Sequence, residues 1–159
     1  MIYIGIDPGL DGALAAIVPD GLEVYDTPTY QGRNIRGKVI GKRRYSTRAM
    51  SKILAALQER GPVFATIEAV HAMPGQGVTS MFSMGYGLGL WHALLVAHEI
   101  PWDAVSPQRW KKEFGLDSDK DKSRSLAQSL FPGEFFNRKK DHGRAEAALI
   151  AAYCRRVRA

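Results

Sequence analysis

The chain has 159 residues, 45% hydrophobic and 24% charged, a globular composition that excludes general disorder and suits one domain with one core. Lys and Arg number 22 against 16 Asp and Glu, for a net charge of +6, which fits a polyanionic partner such as nucleic acid. The single Cys154 excludes an internal disulfide, no charged-then-apolar leader precedes the first strand, and no apolar run approaches a membrane span, so a soluble, intracellular protein is expected.

In chain order, Met1 to Ile6 reads as a strand stopped at Asp7-Pro8-Gly9. Ala13 to Val18 and Leu22 to Tyr25 are two further strands, joined by a hairpin turn at Asp20-Gly21. Residues 28–45, "PTYQGRNIRGKVIGKRRY", contain no acid and hold no period, so they read as a mobile basic loop. Ser46-Thr47 caps a helix running to about Arg60, and "VFATIEA" is a buried strand ending at Glu68.

After the loop "HAMPGQG", a helix runs from Thr79 or Ser80 to about His98. Gly85, Gly87 and Gly89 inside it cost roughly 1 kcal/mol each relative to Ala, which implies close approach of another backbone, within the domain or across a dimer. Trp102 to Val105 is a strand, followed by helices near 107–114 and 121–130 and a last one in "KKDHGRAEAALIAAY". The order predicts an α/β fold: a mixed sheet, a three-strand antiparallel meander plus parallel strands, with helices on both faces and sites at strand C-termini.

Carboxylates fall in informative places. Asp7 ends the first strand and Glu68 ends the strand before "HAMPGQG"; if these strands are neighbours, both acids emerge at one sheet edge. Glu146 stands inside an otherwise apolar helix, where a carboxylate must be paired, metal-bound or solvated through a cleft. Mg²⁺ takes hard oxygen ligands of this kind, and two ions roughly 4 Å apart activate water and stabilise a leaving 3′ oxygen in phosphodiester hydrolysis. A further ligand comes from one of two residues. His142 shares a helical face with Glu146, while Asp141 lies at the helix start, where an N-cap side chain points freely.

"YIGIDPGLDGALA", "ATIEAVHAMPGQGVTSMFSMGYGLG" and "KKDHGRAEAALIAAY" together resemble the RuvC-type Holliday junction resolvases. The resemblance implies an RNase H-like fold, a homodimer joined through the helix 79–98, and metal-dependent paired nicking of four-way DNA junctions with Mg²⁺, Mn²⁺ substituting. It places Asp7, Glu68 and Glu146 as metal ligands and favours Asp141 as the fourth, with His142 an auxiliary acid, base or phosphate contact. The third block departs from the bacterial pattern, since Gly143 stands three residues before Glu146. The D-H-G-R-A-E-A form is similar to phage-encoded relatives and to plant chloroplast resolvases, and a phage or prophage source is preferred.

For DNA the resemblance and the charge pattern together nominate Arg33, Arg36, Lys42, Arg43 and Arg44 of the basic segment, then Lys139, Lys140 and Arg144. Lys111, Lys112, Lys120 and Lys122 are candidates for a lysine beside the scissile phosphate. Met73, Gln76 and Phe82 are candidates for an apolar wedge or base contact at the junction centre. Rival expectations are an RNase H-like nuclease acting on RNA ends and a catalytically inactive junction-binding protein. "GIDPGLDGALA" also resembles the phosphate loop of actin-like ATPases, which need two such domains.

Overall fold

The computed structural model describes residues 1–133 and 135–159. β1 (Ile2–Asp7), β2 (Ala13–Val18) and β3 (Gly21–Asp26) form the expected antiparallel meander. β1 and β2 are apolar almost throughout because helices cover both of their faces; β3, at the sheet edge, is only half-buried.

Residues 28–45 depart from the expected irregular loop. β4 (Thr29–Arg33) and β5 (Val39–Tyr45) pair as an antiparallel hairpin with a bulge between Tyr30 and Gly32, separate from the main sheet. The hairpin has no core-facing side from Tyr30 to Arg44, where every residue is exposed, so its sequence carries no two-residue hydrophobic period. Its base is anchored by Tyr45, which is buried and donates to Ser83 O at 3.1 Å.

α1 (Thr47–Gln58) buries Met50, Leu54 and Leu57 and leads into β6 (Val63–Glu68). α2 (Val78–Ala97) follows, then β7 (Trp102–Val105), α3 (Pro107–Glu113), α4 (Lys120–Leu130), one 3-10 turn (Lys139–Asp141) and α5 (His142–Arg158). The sheet order is β3-β2-β1-β6-β7, with β1, β6 and β7 parallel. α1 and α2 share a core with Ile4, Ile6 and Leu14 on one face, while α5, Trp110 and Phe136 share another with Ala13, Ala15 and Ile17. This is the RNase H-like architecture expected, with the hairpin added.

Small residues set the depth of α5. A Cβ on Gly5 of β1 would lie 2.2 Å from Ala147 O and 2.2 Å from Ala151 N, so the helix backbone lies directly on the strand. The alanine run is therefore a contact surface for close approach, and that approach carries Glu146 to the sheet edge.

The glycines of α2 divide. Gly87 is the close approach within the domain, since a Cβ there would lie 2.3 Å from Tyr45 Oη and 2.8 Å from Pro8 O. Gly85 and Gly89 face open space, on a side of the helix that also exposes Phe82, Tyr86 and Val96. Among the described residues no helix is long and apolar enough to cross a membrane.

Candidate active site

β1 and β6 run parallel with Ile6 opposite Ile67, so their last residues, Asp7 and Glu68, leave the sheet side by side. α5 crosses above them and contributes Glu146. All three line one cleft of about 650 Å³, together with Lys42, Arg43, Tyr45, Lys120 and His142. The first turn of α5 is held there by a second close contact: a Cβ on Gly143 would lie 2.2 Å from Asp11 O.

The electrostatics are those of crowded acids. Burial, then the Glu68 and Glu146 carboxylates, push Asp7 up to about 8 from 3.8, against the Gly9 amide and Lys120. Burial also raises Glu68, where the Trp110 hydrogen bond pulls the other way and Glu146 adds to the rise. Two neighbours from α3 partly offset the repulsion. Trp110 Nε1 donates to Glu68 Oε1 at 2.8 Å, and Lys111 Nζ stands 3.3 Å from Glu146 Oε1, with both side chains largely buried.

Among the described residues no three His, Cys, Asp or Glu side chains are already drawn together as a metal cluster. The reason lies in the contacts just given: Glu68 turns to the indole and Glu146 to the ammonium. The donor set nevertheless fits a hard divalent cation, because the three facing carboxylates are all oxygen donors, and their crowding raises the proton affinity of Asp7 and Glu68 until a cation replaces the proton.

The remaining expected residues separate. His142 reaches the cleft; Asp141 does not line it. Asp141 is 3% exposed, and its oxygens accept from Arg138 N at 2.8 Å, Nε at 3.0 Å and Nη2 at 2.8 Å. Burial works to raise it, but the Arg138 hydrogen bonds outweigh that and hold it below the ordinary carboxylate range. Of the two residues expected to supply the further ligand, His142 and not the favoured Asp141 faces the cleft here. The cause is the Arg138–Asp141 pair three residues apart, which fixes the 3-10 turn rather than facing the cleft.

Lys111 and Lys120 stand at the acids, and Lys112, Lys139 and Lys140 are exposed nearby in the chain. Lys122 is paired with Asp117, and Arg144 is held by Asp26 through two bonds of 2.6 Å. Lys42 and Arg43 line the cleft, whereas Arg33 and Arg36 sit near the hairpin tip and Arg44 is exposed on β5. Met73 is exposed in the loop after β6, with Gln76 Oε1 accepting from its amide at 3.3 Å, and Phe82 stacks on Tyr86 at the exposed start of α2. Trp110 is the site residue that sequence reasoning missed. Its signal was available, because a buried strand-end carboxylate needs a donor and a tryptophan beside the nominated lysines supplies one.

No protein-family model matches the chain. It is 34% identical over 121 residues to the chloroplastic Holliday junction resolvase MOC1 of Chlamydomonas reinhardtii; that region is 72% of this chain but only 14% of the relative's length. Among solved structures it is similar to Thermus thermophilus RuvC in complex with a Holliday junction substrate (TM-score 0.59, 19% identity, 100% of this chain and 98% of that one). A second Thermus thermophilus RuvC structure gives a TM-score of 0.57 at 16% identity over 99% of this chain and 96% of that one. The sequence match and the shared fold agree with the three sequence blocks and with the acids they bring together: the chain is similar in sequence to a Holliday junction resolvase and shares the RuvC fold.

Proposed function

We propose that the protein is a metal-dependent endonuclease that resolves four-way DNA junctions by paired nicks. The observation that carries this reading is the convergence of Asp7, Glu68 and Glu146, from two parallel strand ends and one docking helix, in a cleft rimmed by lysine and arginine. The names of the similar proteins support the same substrate.

Asp7, Glu68 and Glu146 would hold Mg²⁺, two ions per site, with Mn²⁺ substituting. When bound, the metal supplies a nucleophilic water at neutral pH and stabilises charge on the leaving 3′ oxygen. The chain's own residues do the rest. Trp110 orients the Glu68 carboxylate through its indole N–H. Lys111 and Lys120 place positive charge where a scissile phosphate meets the acids. His142, in the cleft beside Glu146, exchanges a proton with the reacting oxygens or contacts the phosphate. Asp141 acts on the site by fixing the turn from which α5 starts.

Two opposed cuts require two sites, and the exposed side of α2 with Phe82, Tyr86, Gly85 and Gly89 is the surface through which two copies pair. The D-H-G-R-A-E-A block favours an intracellular phage or prophage enzyme. The test is an end-labelled four-way junction and an equal-length duplex, each incubated with Mg²⁺ or EDTA. Metal-dependent cutting of the junction alone supports the reading. Trimming of RNA ends, or junction binding without cleavage in any divalent ion, replaces it.

A further inference from the structure

Tyr45 lines the cleft, is 6% exposed, and takes no part in the chemistry described so far. Its hydroxyl lies between two main-chain carbonyls, Ser83 O of α2 at 3.1 Å and Pro8 O at 3.4 Å. A single hydroxyl proton serves both as a three-centre bond. The space around it is bounded by backbone, since a Cβ on Gly87 would lie 2.3 Å from Tyr45 Oη and 2.8 Å from Pro8 O. α2, Tyr45 and the turn after β1 therefore meet at one point.

Pro8 O belongs to the peptide unit that joins Pro8 to Gly9, immediately after Asp7. That unit is trans, as no cis peptide bond occurs among the described residues. In a trans peptide the C=O and N–H point in opposite directions across a rigid plane. A hydroxyl that holds the carbonyl on one side thus fixes where the Gly9 N–H points on the other. There the N–H bears on the Asp7 carboxylate and favours its charged form.

The local sequence does not fix that plane by itself. A Pro-Gly pair accepts its central peptide in two orientations related by a flip, and the flipped one requires positive φ at the second residue, which glycine adopts at no steric cost. Gly9 lies outside the positive-φ region here. A Cβ at Gly9 would meet nothing closer than 3.9 Å, so an alanine fits the present orientation and opposes the flipped one.

We propose that Tyr45 is a positioning residue for the metal site: it holds the Pro8–Gly9 peptide against α2 in the orientation that directs the Gly9 N–H at Asp7. The proposal rests on the reading of Asp7 as a metal ligand and adds the residue that presents it.

The test is calorimetric titration of Mn²⁺ without DNA, on wild type, Tyr45→Phe and Tyr45→Phe/Gly9→Ala, with thermal melting to confirm folded protein. Tyr45→Phe keeps the ring and deletes the hydroxyl. It is expected to bind Mn²⁺ about 10-fold more weakly, as follows from losing an outer partner of a ligand. The Mn²⁺ concentration for half-maximal junction cleavage should rise by about the same factor, with junction affinity in EDTA unchanged. Adding Gly9→Ala should restore most of the Mn²⁺ affinity, because alanine disfavours the flipped peptide; a tyrosine that merely fills space allows no such rescue. Wild-type Mn²⁺ affinity in folded Tyr45→Phe, or a loss that Gly9→Ala leaves untouched, overturns the positioning role and leaves the nuclease reading standing. Amide hydrogen exchange in the wild type supplies a check without substitution. A Gly9 N–H slowed relative to an unstructured peptide is expected, and one that exchanges freely overturns the proposal. A wild-type protein that neither binds Mn²⁺ nor cuts junctions removes the reading of Asp7 beneath it.

Discussion

Trp110 donates its indole N–H to Glu68 Oε1 at 2.8 Å in a buried setting, so a short helix after β7 controls the orientation of a carboxylate at the end of β6. Trp110→Phe keeps most of the shape and deletes the donor. Hydrogen bonds to charged groups contribute about 1.5–3 kcal/mol, and loss of a partner that orients a metal ligand costs roughly 10–100-fold in metal affinity or activity. Trp110→Phe is therefore expected to weaken Mn²⁺ binding, measured calorimetrically without DNA, by that factor. An unchanged Mn²⁺ affinity contradicts the positioning role.

The crowding of acids sets a pH dependence. Asp7 holds its proton up to about 8 in the folded chain, against 3.8 for an ordinary aspartate. The folded state therefore binds this proton more tightly than the unfolded state does. That stabilisation is complete below about pH 4 and is lost as pH rises through 8, and Glu68 is shifted in the same direction. Without divalent metal, the urea midpoint should fall between pH 5 and 8.5. Asp7→Asn should flatten most of that fall while abolishing cleavage. A midpoint that rises with pH, or a variant as pH-sensitive as wild type, contradicts the assignment.

Asp141 and His142 are adjacent but should fail differently. Asp141→Asn breaks a buried, multiply bonded pair with Arg138 and is expected to cost about 1–3 kcal/mol of stability, with cleavage by the remaining folded protein largely kept. His142→Asn should stay within about 0.5 kcal/mol of wild type and lose roughly 10²–10⁴-fold in cleavage rate if it transfers a proton. Denaturant titration paired with single-turnover cutting reads both. The opposite pattern restores Asp141 as the ligand.

Gly87 and Gly89 provide a similar contrast on α2. Gly87→Ala drives a methyl into Tyr45 and the Pro8 carbonyl and should destabilise the fold by about 1–3 kcal/mol. Gly89→Ala meets nothing within the chain and gains up to about 1 kcal/mol of helix propensity. Its effect should appear in self-association, read by light scattering or by analytical ultracentrifugation. Unaltered association argues against α2 as the pairing surface.

Much of this site was legible in the sequence for a definite reason. Asp7 and Glu68 each end an apolar strand, and Glu146 interrupts an alanine-rich helix, so each is conspicuous against its own local pattern. The β4–β5 hairpin was illegible because a ribbon exposed on both faces needs no hydrophobic alternation, and its glycines and cations read as loop. The partnership of Trp110 with Glu68 spans 42 residues of sequence and is set by how β6 and α3 meet in space. The Arg138–Asp141 pair is the reverse case, a three-residue spacing that the resemblance to family ligands overshadowed.

The nuclease assignment is decided at Glu146. A four-way junction labelled in turn on each strand is incubated in Mg²⁺ with wild-type protein and with Glu146→Gln, and binding of each is measured in EDTA. Symmetric paired nicks by wild type, with a variant that binds equally well and cuts at least 10³-fold more slowly, are the predicted result. Wild-type rates of cutting by Glu146→Gln contradict it.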